Sequence, residues 1–308
     1  MNGLPDLRVK LGKLELKNPV LVASGTFGYG EEYAELIDLN KLGGIMTKAV
    51  TLRPKEGNPP PRLVEVPCGL LNAIGLENPG LEVFIREKLP FLRKFDTKII
   101  VNIAGEKEDD YLQIAKRLSK ENGVDALEVN ISCPNVKEGG LSFGTDPKVV
   151  YLLVKRLKEV CELPLILKLT PNVTDIKEVA KAAEEGGADI LSLINTVLAM
   201  AVDVDTQRPK LGNIVGGLSG PAIRPIAVRM VWEVSGAVNI PIIGMGGIMK
   251  AEDALEFVIA GASAVAVGTA NFVDPRTPLK VIEGIGRYLK DKGIDSFASL
   301  VGSLKVQR

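Results

Sequence analysis

Short apolar runs alternate with stretches of helical period along almost the whole chain. Residues 19–23, 43–48, 98–104, 126–131, 164–170, 189–195, 240–245 and 263–267 are runs of the kind expected of strands buried on both faces. Residues 31–39, 81–95, 109–121, 147–160, 174–185, 222–234, 251–260 and 278–290 instead predict helices. Eight strand–helix pairs with no linker-like composition between them predict an α/β protein built as a single (β/α)8 TIM barrel, one domain spanning residues 1–308. Ahead of the first pair, residues 7–16 alternate around Gly12-Lys13 and predict an N-terminal hairpin, which in a barrel covers the bottom.

Two long insertions break the alternation on the side where strands run into helices, the carboxyl rim. Residues 50–79 are rich in Pro and Asn, and residues 197–220 follow the sixth strand. Both far exceed the roughly 2–6 residues of an ordinary βα loop, and such insertions are more often functional covers than accidents. A third stretch, residues 136–145, carries Gly139, Gly140 and Gly144 and suits a mobile lid.

The chemistry centres on DALEVNISCPN, residues 125–135. It begins as a buried strand and stops at Pro134, which cannot continue a ladder. Asn130, Ser132, Cys133 and Asn135 gather at that stop, on the rim that carries the active site in parallel barrels. The chain contains no His, so imidazole is excluded as base, metal ligand or triad member, and Cys133 rises as the candidate base.

Other rim positions complete a site. GMGGI at 244–248 and VGTAN at 267–271 end the last two strands in small residues, whose free backbone amides beside a helix start make a phosphate cradle. Lys48 and Lys168 each lie in an otherwise apolar strand, and a barrel-interior ammonium needs an anionic or polar partner. Asn72, Asn102, Asn130 and Asn195 recur at or near strand ends, where amides that both donate and accept match a flat heterocycle of NH and C=O groups. Taken singly, each Asn also fits a turn and each Lys a side chain that reaches a rim carboxylate.

Composition narrows the partners. Lys plus Arg equals Asp plus Glu at 38 each, which leaves no net field for nucleic acid or an anionic membrane, and neither partner is expected. Three scattered cysteines, Cys68, Cys133 and Cys161, are too few for a disulfide framework or a Cys-only metal site, so no metal is expected and a reducing cytoplasm is. The first residues, MNGLPDLRVK, lack a signal-peptide core, and no run approaches the roughly 20 apolar residues of a membrane span.

Taken together, NISCPN, KAVTLRP at Lys48, NAIGLENPG at Asn72, LILKLTPN at Lys168, SLINT ending at Thr196, LSGPAI at Gly220, GMGGI and VGTANF resemble the dihydroorotate dehydrogenases over nearly the whole chain. Cys133, where the membrane-bound class 2 has Ser, resembles the soluble class 1. The segment NVKEGGLSFGTDP is similar to the NAD-dependent subclass 1B. The resemblance implies oxidation of dihydroorotate to orotate in pyrimidine (UMP) biosynthesis, with Cys133 taking a proton from carbon 5 and a hydride passing from carbon 6 to one FMN per chain. It implies an orotate site of Lys48, Asn72, Ala73, Ile74, Gly75, Leu76, Asn130, Asn195 and Thr196, with Lys48 neutralising the carboxylate. It implies FMN contacts from Ser24, Lys48, Ala49, Asn102, Asn130, Lys168, Ile194, Gly220, Gly246, Gly247, Gly268 and Thr269. Members of that subclass work as a homodimer core within a heterotetramer, beside an electron-transfer subunit carrying FAD and a 2Fe-2S cluster, through which NAD is reduced.

Alternatives remain on the residues alone. Lys168 with a phosphate cradle also suits a Schiff-base barrel aldolase, although that leaves Cys133 and the Asn set without a task. A fumarate-linked class 1A homodimer, and a dehydrogenase of dihydrouracil or dihydrothymine, are the other readings within the oxidoreductases.

Overall fold

The computed structural model describes residues 5–131 and 144–306, so Ser132, Cys133, Asn135 and most of the expected lid lie outside the described residues. Eight parallel strands close a barrel in chain order: Val20–Val22, Gly44–Met46, Lys98–Ile103, Ala126–Asn130, Leu165–Lys168, Ile190–Leu193, Ile242–Met245 and Ala264–Val267. The last pairs with the first, Val265 opposite Val20, which leaves the barrel without an edge. These are the eight expected strands, each trimmed by a few residues. Their apolar runs follow from burial both against the helices and inside the barrel.

The hairpin pairs Val9–Leu11 with Leu14–Leu16 around Gly12, whose φ of +59° suits a residue without a Cβ. Leu11, Leu14 and Leu16 are buried, and a Cβ on Gly12 would lie 3.8 Å from the Asp189 carbonyl oxygen, at the amino end of a barrel strand. The hairpin therefore closes the bottom.

Most expected helices are present, among them Glu108–Leu118, Pro147–Val160, Ile176–Gly186, Arg224–Ser235, Ala251–Ala260 and Thr277–Lys292. The helix expected over 31–39 is not formed. Its polar and apolar spacing is helical, but Gly28 and Gly30 sit at φ of +54° and +85° and send the chain through successive turns. Side chains fix those turns: the Phe27 and Tyr33 rings stack with centroids 4.0 Å apart, and the Tyr33 hydroxyl donates to the Thr26 carbonyl at 2.8 Å. The helical stretch from Leu81 to Leu92 widens to a π turn over Phe84–Lys88, with the Leu89 N–H donating to the Phe84 carbonyl. Pro90 lacks an N–H and its ring crowds the carbonyl four residues back, which a widened turn relieves.

The two insertions are not irregular. Leu63–Val66 and Gly69–Asn72 form a hairpin, and Val197–Met200 and Val215–Ser219 form a second pair. The two join edge to edge through Asn72 opposite Gly217, giving a four-stranded antiparallel sheet. Because the first insertion leaves the second barrel strand and the other leaves the sixth, the sheet spans the carboxyl rim.

Candidate functional site at the barrel mouth

A buried polar network lies inside the barrel near its carboxyl end. Lys168, the last residue of its strand, donates to the Ser24 hydroxyl oxygen at 2.9 Å and stands 3.6 Å from Glu128 Oε2. Glu128 is fully buried; its Oε1 accepts from the Ser192 hydroxyl at 2.8 Å and its Oε2 from the Asn102 amide. Glu128 thus comes from the neighbouring strand and Ser24 from just beyond the first strand, and the ammonium is not left unpaired in a low dielectric. A carboxylate only accepts, so it orients the Asn102 amide with Nδ2 toward Glu128 and Oδ1 away. Among the described residues that buried Oδ1 has no hydrogen-bond partner.

Beside the network, loops of small residues converge. Gly246, Gly247 and Gly220 have φ of +136°, +73° and +94°. A Cβ on Gly247 would come within 2.7 Å of the Gly220 carbonyl oxygen and 2.9 Å of Arg224 Cβ, so the loop after the seventh strand presses backbone to backbone on the Gly220 turn. Thr269 donates to the Ser219 hydroxyl oxygen at 2.8 Å, and a Cβ on Gly268 would lie 3.7 Å from Ala23. Residues 23–24, 219–220, 246–247 and 268–269 therefore adjoin as one contiguous wall.

Helix ends contribute less to this wall than the sequence suggests. Ala270–Val273 is a single turn, and at the start of Ala251–Ala260 the Asp253 carboxylate already accepts from the Met249 and Lys250 N–H groups. Of the expected cradle, the wall's own backbone is therefore the larger part.

On the opposite side the amides meet. Asn195 Nδ2 lies 3.5 Å from Asn130 Oδ1, and the Thr196 N–H donates to Asn195 Oδ1 at 2.8 Å. Thr196 packs on Gly217, whose carbonyl accepts from Asn72 Nδ2 at 3.1 Å, so the insertion sheet brings Asn72 to Asn195 and Thr196. Ala73 to Leu76 follow as a loop held by Asn58 Nδ2 on the Ala73 carbonyl and by the buried Asn78 on the Leu76 carbonyl. Lys48 and Ala49 are half-buried just beyond the second strand. Among the described residues the Lys48 ammonium has neither an ion pair nor a hydrogen bond, and none joins it to the amide set. Ile194 is buried, with its N–H donating to the Met245 carbonyl.

Glu128, Ser192, Asn58 and Asn78 were missed in the sequence. Glu128 alone carried a signal, a charge in an otherwise apolar strand like those that marked Lys48 and Lys168.

A closed parallel barrel with polar side chains gathered at its carboxyl rim is the architecture of the (β/α)8 enzymes, whose sites lie at that rim. The family model described as dihydroorotate dehydrogenase matches residues 6–289. The chain is 56% identical to a protein of Thermoanaerobacter pseudethanolicus over 98% of this chain and 99% of that one. It is 55% identical to one of Geotalea uraniireducens over 98% and 99%, and 55% identical to one of Caldicellulosiruptor bescii over 98% and 100%. Each of the three is named dihydroorotate dehydrogenase B (NAD(+)), catalytic subunit. The chain belongs to the dihydroorotate dehydrogenase family and is an oxidoreductase.

Proposed function

We infer that this chain is the catalytic subunit of an NAD-linked dihydroorotate dehydrogenase, a cytoplasmic enzyme of pyrimidine biosynthesis whose single barrel domain holds one FMN. The observation that carries the reading is the mouth network: an ammonium, a hydroxyl and a buried amide oxygen with no donor among the described residues lie together beside a glycine wall. A flavin edge offers the N–H and C=O groups that such a set lacks, and its ribityl phosphate suits the amides of Gly220, Gly246, Gly247, Gly268 and Thr269. The residues fit the cofactor. When bound, FMN supplies the acceptor for the hydride from carbon 6 of dihydroorotate.

The chain supplies the rest. Cys133, three residues after Asn130 in the sequence, takes the proton from carbon 5. An ordinary thiol, with a pKa of about 8.5, is mostly protonated at neutral pH, so the base needs a cationic neighbour or exclusion of water, and the Gly-rich sequence of residues 136–145 suits the second. Lys48 neutralises the substrate carboxylate, while Asn72, Asn130, Asn195 and Thr196 hold the ring amide groups. Lys168 stabilises negative charge on the cofactor edge. The names of the relatives include "catalytic subunit", which supports a separate partner; we assign FAD and a 2Fe-2S cluster to it, around a homodimer of this chain in a heterotetramer. The direct test is co-purification of the chain with its partner, flavin quantification, and assay of dihydroorotate oxidation with NAD, fumarate and a dye. Fumarate as the efficient acceptor moves the chain to the class 1A reading.

Two variants probe the ligand assignments separately. Lys48→Ala is expected to weaken orotate binding by roughly tenfold to a hundredfold, the loss of a charge-assisted contact worth about 1.5–3 kcal/mol, with FMN retained. Titration of the flavin spectrum with orotate reads this, and unchanged affinity would remove Lys48 from the substrate site. Gly247→Ala must hold a Cβ at positive φ and 2.7 Å from the Gly220 carbonyl oxygen. With backbone strain of about 1–3 kcal/mol at the cradle, FMN affinity is expected to fall roughly tenfold or more, measured by fluorescence titration of the apoprotein.

A further inference from the structure

Glu128 has no task in the chemistry above, yet it is fully buried under the mouth network. Its strand sets it opposite Asn102 on the neighbouring strand, and Ser192 stands opposite Lys168 on the next pair, so four side chains from four adjacent strands converge. Orienting the Lys168 ammonium does not require a charge, because the Ser24 hydroxyl oxygen already accepts from it at 2.9 Å. What the Glu128 carboxylate adds, 3.6 Å from the same nitrogen, is a full negative charge at a site where burying one is costly. Ser192 and Asn102 both donate to it and hold it in place.

We propose that Glu128 is a positioning residue that acts through Lys168 to hold the reduction potential of bound FMN below the value the lysine alone would set. The proposal rests on the FMN reading given above. Hydride transfer brings two electrons and one proton to the cofactor and leaves it one unit more negative. An ammonium at its edge favours that reduced form, and a carboxylate beside the ammonium offsets the gain. A potential kept low in this way suits electrons that must travel on to a nicotinamide acceptor, whereas an uncompensated lysine would retain them on the flavin.

The test is the two-electron midpoint potential of the FMN-loaded full-length chain, equilibrated with a redox dye of known potential. Glu128→Gln keeps the shape and the acceptor toward Asn102 but removes the charge. It is expected to shift the flavin equilibrium toward reduction by tenfold or more, about 30 mV more positive for a two-electron couple. A purely structural role would loosen FMN or lower the melting temperature and leave the midpoint of the bound flavin unchanged, which overturns the proposal. Should Glu128→Gln not fold, Glu128→Asp withdraws the charge from Lys168 by one methylene and is expected to give a smaller shift of the same sign; an unmoved midpoint there is equally fatal. Wild-type chain that takes up no FMN overturns the cofactor reading and this proposal together, while flavin-loaded wild type with unmoved variants overturns only the second.

Discussion

Replacing Cys133 by alanine is expected to leave FMN bound and to slow flavin reduction by dihydroorotate by about 10²–10⁴-fold near pH 7, the usual contribution of a positioned general base. With no His in the chain, the candidates for a proton acceptor at the rim are few. The other two thiols are in the wrong places. Cys161 ends the helix Pro147–Val160 and precedes the strand Leu165–Lys168, which puts it at the bottom of the barrel, and burial pushes its thiol pKa up. Cys68 is exposed at the turn between Val66 and Gly69, on the insertion hairpin. Lys168 is engaged by Ser24 and Glu128, and Lys48 is assigned to the substrate carboxylate. Stopped-flow reduction of the flavin, normalised to flavin content, reads the loss. Near-wild-type reduction by the alanine variant would reassign the base.

The barrel was legible because strands buried on both faces leave uninterrupted apolar runs, and all eight were placed within a few residues. Helical period was a weaker guide over 31–39, where two glycines at positive φ and a stacked Phe27–Tyr33 pair decide the backbone. The insertion sheet was not legible at all. Its central contact joins Asn72 to Gly217 across 145 residues, and its strands are short and partly exposed, so neither alternation nor length announces them. Within the site, the glycine pairs and lysines stood out by type, whereas Glu128 lay unremarked among apolar neighbours. Whether a charged residue in a barrel strand is satisfied depends on what the adjacent strands present, here Asn102 and Lys168, and a single strand's sequence does not contain that information.

The isolated chain is expected to reduce a dye with dihydroorotate but barely to reduce NAD, and addition of a partner bearing FAD and an iron-sulfur cluster is expected to restore NAD reduction. The residues proposed for substrate and for cofactor share one rim: the amide set around Asn195 and the wall around Gly247 flank the same mouth. The wall suits a mononucleotide phosphate, and the sequence holds no G-x-G-x-x-G unit opening a helix for a dinucleotide. The cluster cannot be this chain's own, since three cysteines do not make the four-thiolate set it needs. On the proposed function, electrons that leave the flavin for NAD therefore cross to another subunit. Comparing dye and NAD reduction by the chain alone and by the reconstituted complex, at equal flavin content, isolates that step. Vigorous NAD reduction by the purified single chain would contradict the division of labour, because it would require a nicotinamide site on this barrel.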